Sequence, residues 1–229
     1  MEVKKLIDHW WFRIVVIVLL VFGFNWLFLA ISHQVQTQPA VVFQPKTLAL
    51  KQVVDPRLTA VTPTTPTWGN PKAKITIVEF GDFQCPYSEK EFSVIREVMN
   101  QYKEQIFFIW RQFPIADKHP QAAEAAEASV CAEQQDKFWP FHDQLFLHQT
   151  DLSSEALLNY AKMAGLDQSA FIKCMSSHRN RSAVIADLQL GLDNRVNGTP
   201  TFFINGTPLS GALPKDFWDK AIDYLLGQP

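Results

Sequence analysis

The stretch that most constrains the fold is a short apolar run ending in a turn and a cysteine. Ile75-Thr-Ile-Val-Glu-Phe80 is apolar and β-branched over a length that suits a buried strand. Gly81 and Asp82 turn the chain, and Cys85-Pro86-Tyr87-Ser88 opens a segment in which Phe92, Ile95, Met99 and Tyr102 recur at helical spacing. Pro86 suits the first helical position, where an N–H would have no partner anyway. Gln105-Ile-Phe-Phe-Ile-Trp-Arg111 reads as the next strand. Strand, helix and strand with so short a crossover imply a right-handed parallel unit, which places Cys85 at the N-terminus of its helix. No G-x-G-x-x-G accompanies the unit, so a dinucleotide fold is disfavoured.

Helical patterns fill the middle of the chain: Pro120 to Gln134, Lys137 to His148, Ser153 to Ala164 closed by Gly165, Asp167 to Ser176, and Arg181 to Val196. Thr201-Phe-Phe-Ile204 and Thr207-Pro-Leu-Ser210 flank Asn205-Gly206, the dipeptide that best fits a type I′ turn, so they predict a hairpin. A last helix runs from Pro214, with Trp218, Ala221, Ile222 and Leu225 on one face. This order predicts an α/β, thioredoxin-like fold with an inserted helical subdomain over about 119–196, in a domain spanning 68–229.

The N-terminal third differs. Ile14 to Ile31 carries no charge and would span about 27 Å as a helix. Lys4, Lys5 and Arg13 precede it, with Trp10 and Trp11 at headgroup level. That pattern predicts a single-pass anchor over 14–31, its N-terminus (1–13) cytoplasmic and the domain on the periplasmic or extracytoplasmic side. The rival readings are a cleaved signal, for which the run is long and Ala30-Ile31-Ser32 a poor cleavage site, and a buried core helix. Residues 32–67, with Pro39, Pro45, Pro56, Pro63 and Pro66 among polar residues, read as a linker. Lys+Arg 21 against Asp+Glu 23 gives a net charge of -2, which offers nucleic acid no basic field. Cys85, Cys131 and Cys174 form no C-x-x-C pair and lack His neighbours at ligand spacing, so neither a metal nor another cofactor is expected.

The residues from Gly69 to Tyr87, followed by Ser88, resemble the active-site strand and helix start of DsbA-like thiol–disulfide oxidoreductases. Gly198-Thr-Pro-Thr-Phe-Phe-Ile-Asn-Gly206, Gln134-Gln-Asp-Lys-Phe-Trp139 and His142-Asp143 resemble further motifs of that family, in family order. The resemblance implies a thioredoxin fold with a helical lid and redox chemistry on exported protein thiols. It implies that Pro200 follows a cis bond beside the nucleophile, with Thr199 presenting backbone groups to an extended substrate. It also implies that Glu79 is a buried proton relay, whereas the residues alone leave an edge-exposed Glu79 open. Similar cysteines in relatives imply that Cys131 and Cys174 pair in an exported domain, the alternative being two free thiols. The sequence departs from the family at one decisive place: the second cysteine of Cys-x-x-Cys is Ser88.

A thiol at a helix N-terminus faces unpaired N–H groups and the positive end of the helix dipole, which favour the thiolate, the form that attacks disulfides. The bland alternative is a small buried hydrophobe. Ser88 can neither resolve a mixed disulfide nor store an oxidising equivalent, so a self-contained dithiol oxidase is excluded. The chemistry left is monothiol exchange on exported substrates, resolved by a second thiol from the substrate, a partner protein or glutathione. Ser88 Oγ is expected to donate to the Cys85 thiolate. The other readings of Ser88 are a substitution that traps substrates, and a fold that has abandoned turnover and serves as a peptide-binding or chaperone module. His119, His142 and His148 read as packing or capping residues, and Phe138 and Trp139 as core of the insertion.

Overall fold

The computed structural model describes residue 44 and residues 55–227; the apolar run over 14–31 lies outside them. Among the described residues no helix is long and apolar enough to cross a membrane. Five strands, β1 (Thr67–Gly69), β2 (Ile75–Gly81), β3 (Ile106–Gln112), β4 (Thr201–Ile204) and β5 (Thr207–Ser210), form one sheet in the order β1-β3-β2-β4-β5. Among the described residues seven α-helices accompany it: α1 (Pro86–Gln101), α2 (Ala122–Glu133), α3 (Phe138–Leu147), α4 (Ser154–Met163), α5 (Gln168–Ser177), α6 (Arg181–Asp193) and α7 (Lys215–Leu226).

The predicted strand–helix–strand unit forms, with β2 parallel to β3. Antiparallel pairing of β4 with β2 makes β2 the central strand. Asn205 and Gly206 turn the hairpin at φ 47° and 85°, the two positive values that a type I′ turn needs. Alternation along β2 then sorts the core. Ile75 and Ile77 face α1 and α7, packing with Ile95, Met99, Trp218 and Ile222. Val78 and Phe80 face the other way, toward Leu58, Phe113, Leu190 and Val196. Helices α2 to α6 are inserted between β3 and β4, and the core of α2 to α5 gathers around Phe138, Phe141, Leu145 and Phe171. A disulfide joins Cys131 of α2 to Cys174 of α5.

Two expectations need correction. β1 was not foreseen, because three residues are too few to show alternation; it adds antiparallel to β3, Trp68 opposite Phe108. Residues 55–66, read as linker, are packed on the domain. Pro56–Thr59 forms a 3₁₀ turn capped by Asp55, and Leu58 is buried. The cause is one buried guanidinium. Arg111 of β3 donates to the carbonyls of Arg57 and Leu58 at 3.2 Å, to that of Ala60, and to Thr65 Oγ1 at 3.3 Å, while pairing with Asp187 of α6 at 3.1 Å. Backbone carbonyls satisfied by a distant side chain leave no trace in proline spacing or periodicity.

Candidate active site

Cys85 is the N-cap residue of α1, with extended backbone (φ −78°, ψ 123°) and Pro86 next in the chain. Its carbonyl accepts the first helical bond, from Glu89 N at 3.1 Å. The side chain is 4% exposed, and Sγ donates to the carbonyl of Thr199 at 3.2 Å. The Thr199–Pro200 bond is cis. The cysteine turn and the proline loop, far apart in sequence, thus meet at the C-terminal end of β2 and the start of β4. The proline loop is fixed in turn, since Gly211 N donates to Pro200 O at 2.8 Å and Thr201 Oγ1 to Gly198 O at 2.7 Å.

Ser88 lies in the first turn of α1 and is buried. Its Oγ has no hydrogen-bond partner among the described residues, and neither does Thr199 Oγ1. The hydrogen bond expected from Ser88 Oγ to the Cys85 sulfur is not made here, where Sγ donates to Thr199 O. Tyr87, between Pro86 and Ser88, is 56% exposed beside the nucleophile.

Glu79 is buried in the middle of the sheet, flanked by Trp110 of β3 and Phe202 of β4, which removes the edge-exposed alternative. Burial pushes its carboxyl well above the ordinary carboxylate range, and repulsion from Glu91 adds to the effect. Glu91 is a second buried acid that the sequence reading missed. One oxygen accepts from Trp218 Nε1 at 2.8 Å and the other from Leu213 N at 2.7 Å. Burial pushes Glu91 up to about 7 against the opposing pull of those two bonds. Phe202, the cross-strand neighbour of Glu79, packs edge-on against Trp218 at 4.9 Å, so the two acids share one pocket of the core. A signal for Glu91 existed: it stands four residues before Ile95 and eight before Met99, on the apolar stripe of α1.

The turn before Cys85 is held by polar side chains that carry no motif. Asp82 accepts from Gln84 N at 2.8 Å, Ile115 N at 2.8 Å and His119 Nδ1 at 2.7 Å. Gln149, beyond α3, donates to the carbonyls of Phe83 at 2.9 Å and Cys85 at 3.0 Å. His142 is packed among aromatic rings with Trp110 at 4.9 Å, and burial lowers its proton affinity against the opposing pull of Asp143. His148 stacks on Tyr160. Among the described residues no cluster of His, Cys, Asp and Glu could hold a metal ion.

A family model described as thioredoxin matches residues 61–224. Among curated proteins, the Na(+)/H(+) antiporter NhaA 3 of Salinispora tropica is 38% identical over 138 residues, 60% of this chain and 21% of that protein. The Na(+)/H(+) antiporter NhaA 1 of Mycolicibacterium gilvum is 34% identical over 180 residues, 78% of this chain and 27% of that one. The chain thus spans about a fifth to a quarter of the length of these relatives. Among solved structures, a thioredoxin-like oxidoreductase from Silicibacter pomeroyi superposes with a TM-score of 0.65 at 24% identity, covering 73% of this chain and 95% of that one. BdbD from Bacillus subtilis, in its oxidised form, superposes with a TM-score of 0.64 at 24% identity, covering 72% and 94%.

Proposed function

The chain belongs to the thioredoxin family, with a DsbA-like helical insertion, and from that premise we propose that it exchanges disulfides on exported proteins through the single thiol of Cys85. The observation that carries this reading is the Cys85 thiol at the N-cap of α1, 3.2 Å from the carbonyl that precedes cis-Pro200. The Cys85 thiolate attacks a substrate disulfide, forming a mixed disulfide and releasing one substrate thiolate. That thiolate takes up a proton, for which Glu79 beneath the site is the donor on this reading. A second thiol, from the substrate, a partner protein or glutathione, then gives its proton back to Glu79, and its thiolate attacks the substrate sulfur and restores Cys85. Each step exchanges one disulfide for another, so the cycle needs no external oxidant. Thr199 offers its backbone to an extended substrate beside Pro200.

The same reading places the domain outside the cytoplasm, tethered by residues 14–31. The Cys131–Cys174 bridge supports that placement, because structural disulfides persist in oxidising compartments. Protease digestion of intact cells against inverted membranes tests it, and a domain protected in intact spheroplasts would refute it.

The exchange reading is tested by incubating the chain with a scrambled-disulfide protein and glutathione. Wild type is expected to speed recovery of the native substrate and to form a mixed disulfide visible by intact mass, and Cys85→Ala to do neither. One feature favours a second reading, a peptide-binding module without turnover: the buried Ser88 leaves the site without a resolving thiol. Substrate recovery that survives Cys85→Ala would favour that module.

A further inference from the structure

The turn that carries the nucleophile is held, residue by residue, from the side of the helical insertion. Asp82 is bonded to Ile115 N and His119 in the segment leading into it. The ring of Phe83 stacks on Trp110 and packs against Phe138 and Phe146 of α3. Gln84 and Gln121 exchange two hydrogen bonds, Nε2 to Oε1 at 3.1 Å and Gln121 N to Gln84 Oε1 at 2.8 Å. Gln149 Nε2 donates to the carbonyls on both sides of Gln84, those of Phe83 and Cys85.

We propose that Gln149 is a positioning residue for Cys85, through which the insertion sets the accessibility of the thiol. A primary amide has two N–H groups, and both are spent on peptide planes of one turn. Fixing the Cys85 carbonyl fixes the first hydrogen bond of α1, to Glu89 N, and with it the N-cap geometry that points Sγ at Thr199 O. The thiol sits almost fully buried in that geometry, so a reagent or substrate reaches it only when the turn shifts. Since Gln149 belongs to the connection between α3 and α4, a displacement of the insertion against the sheet moves the nucleophile directly. The inference rests on reading Cys85 as the nucleophile, but its test reads the thiol itself and is independent of substrate exchange.

The test is the rate of Cys85 alkylation by iodoacetamide in the full chain without reductant, followed by intact mass from pH 5 to pH 8. Gln149→Leu keeps the volume and removes the donor, and is expected to speed alkylation at pH 7 about fivefold, the factor carried by one ordinary neutral hydrogen bond. Asn205→Ala, which removes a 2.7 Å bond to Thr76 N at the other end of the sheet, is expected to leave the rate unchanged. Gln149→Glu places a carboxylate against two carbonyls. Two carbonyls facing the carboxylate make it hold its proton more tightly than a free acid, so the variant's rate relative to wild type should be high at pH 8 and lower at pH 5, where more of the acid is protonated and can donate one of the two bonds. A Gln149→Leu rate within twofold of wild type, or equal acceleration by Asn205→Ala, overturns the proposal. Should Gln149→Leu fail to fold, a Gln149→Glu ratio that does not vary with pH overturns it as well.

Discussion

Glu91 should make the fold lose stability as pH rises from acid to neutral, and the size of that loss follows from its surroundings. The carboxyl is pushed from an ordinary 4.5 to about 7, mainly by burial, despite its bonds from Trp218 and Leu213. A group that binds its proton more tightly in the folded state contributes its full stabilisation below the unfolded value and loses it as pH climbs through the folded value. The window for Glu91 therefore runs from about 4.5 to about 7, and the contribution lost across it is roughly 3 kcal/mol. Glu91→Gln cannot ionise, so its own curve lacks this decline. Its amide N–H₂ must face one of the two donors, which costs about 1–3 kcal/mol at every pH. The informative quantity is thus the difference between wild type and Glu91→Gln, from urea unfolding followed by tryptophan fluorescence. It should fall by roughly 3 kcal/mol between pH 4.5 and pH 8. A difference constant to within about 1 kcal/mol across that range would show that the pocket of Trp218 and Leu213 does not hold the acid as described.

Three further outcomes are expected. Replacing Cys131 and Cys174 by alanine removes a bridge across 43 residues and should cost roughly 4 kcal/mol in the chain-entropy account, read as a fall in urea midpoint; an unchanged midpoint would contradict it. Ser88→Cys places a thiol in the first turn of α1 behind the Cys85 N-cap, and mild oxidation should protect both thiols from alkylation while the mass falls by two hydrogens. If both thiols stay free after oxidation, the turn does not bring position 88 within reach of Cys85. Arg111→Met leaves the half-buried Asp187 without its charge partner and strips donors from the carbonyls of residues 57, 58 and 60. It should cost about 3 kcal/mol or more, with faster proteolysis within residues 55–66; an unchanged cleavage rate would show that the arm is held by something else.

What could be read from the sequence is what repeats or what packs. Short apolar, β-branched runs marked β2 and β3, helical spacing marked α1 and α7, and Asn205-Gly206 marked its hairpin. The pairing of Cys131 with Cys174 and the cis bond before Pro200 came only through the family resemblance, since separation along the chain says nothing about proximity or peptide geometry. Arg111, Glu91, Gln121 and Gln149 escaped for one shared physical reason. Each satisfies backbone or side-chain groups from a remote part of the chain, and a residue's own neighbourhood in sequence carries no sign of such a partner. His119 shows the same limit: read as a packing or capping residue, it lies 2.7 Å from Asp82, which is remote in the chain.

The two sides of the site impose opposite demands on Cys85. From the insertion, Gln149 fixes the carbonyl of its peptide; from the sheet, Thr199 O holds the hydrogen of its thiol. A thiol is a weak donor, and an amide N–H from an extended peptide beside Pro200 is a stronger one. On the exchange reading, a bound peptide therefore competes with the thiol for Thr199 O. Once displaced, the sulfur is no longer tied to the proline loop and is free to meet a substrate disulfide. Docking and activation become one event, and the thiol stays bonded to Thr199 O and nearly buried until a substrate arrives. That arrangement suits a site without a resolving cysteine. Ser88 gives a mixed disulfide no internal exit, so an unguarded Cys85 would be held by the first small disulfide it met until an outside thiol released it.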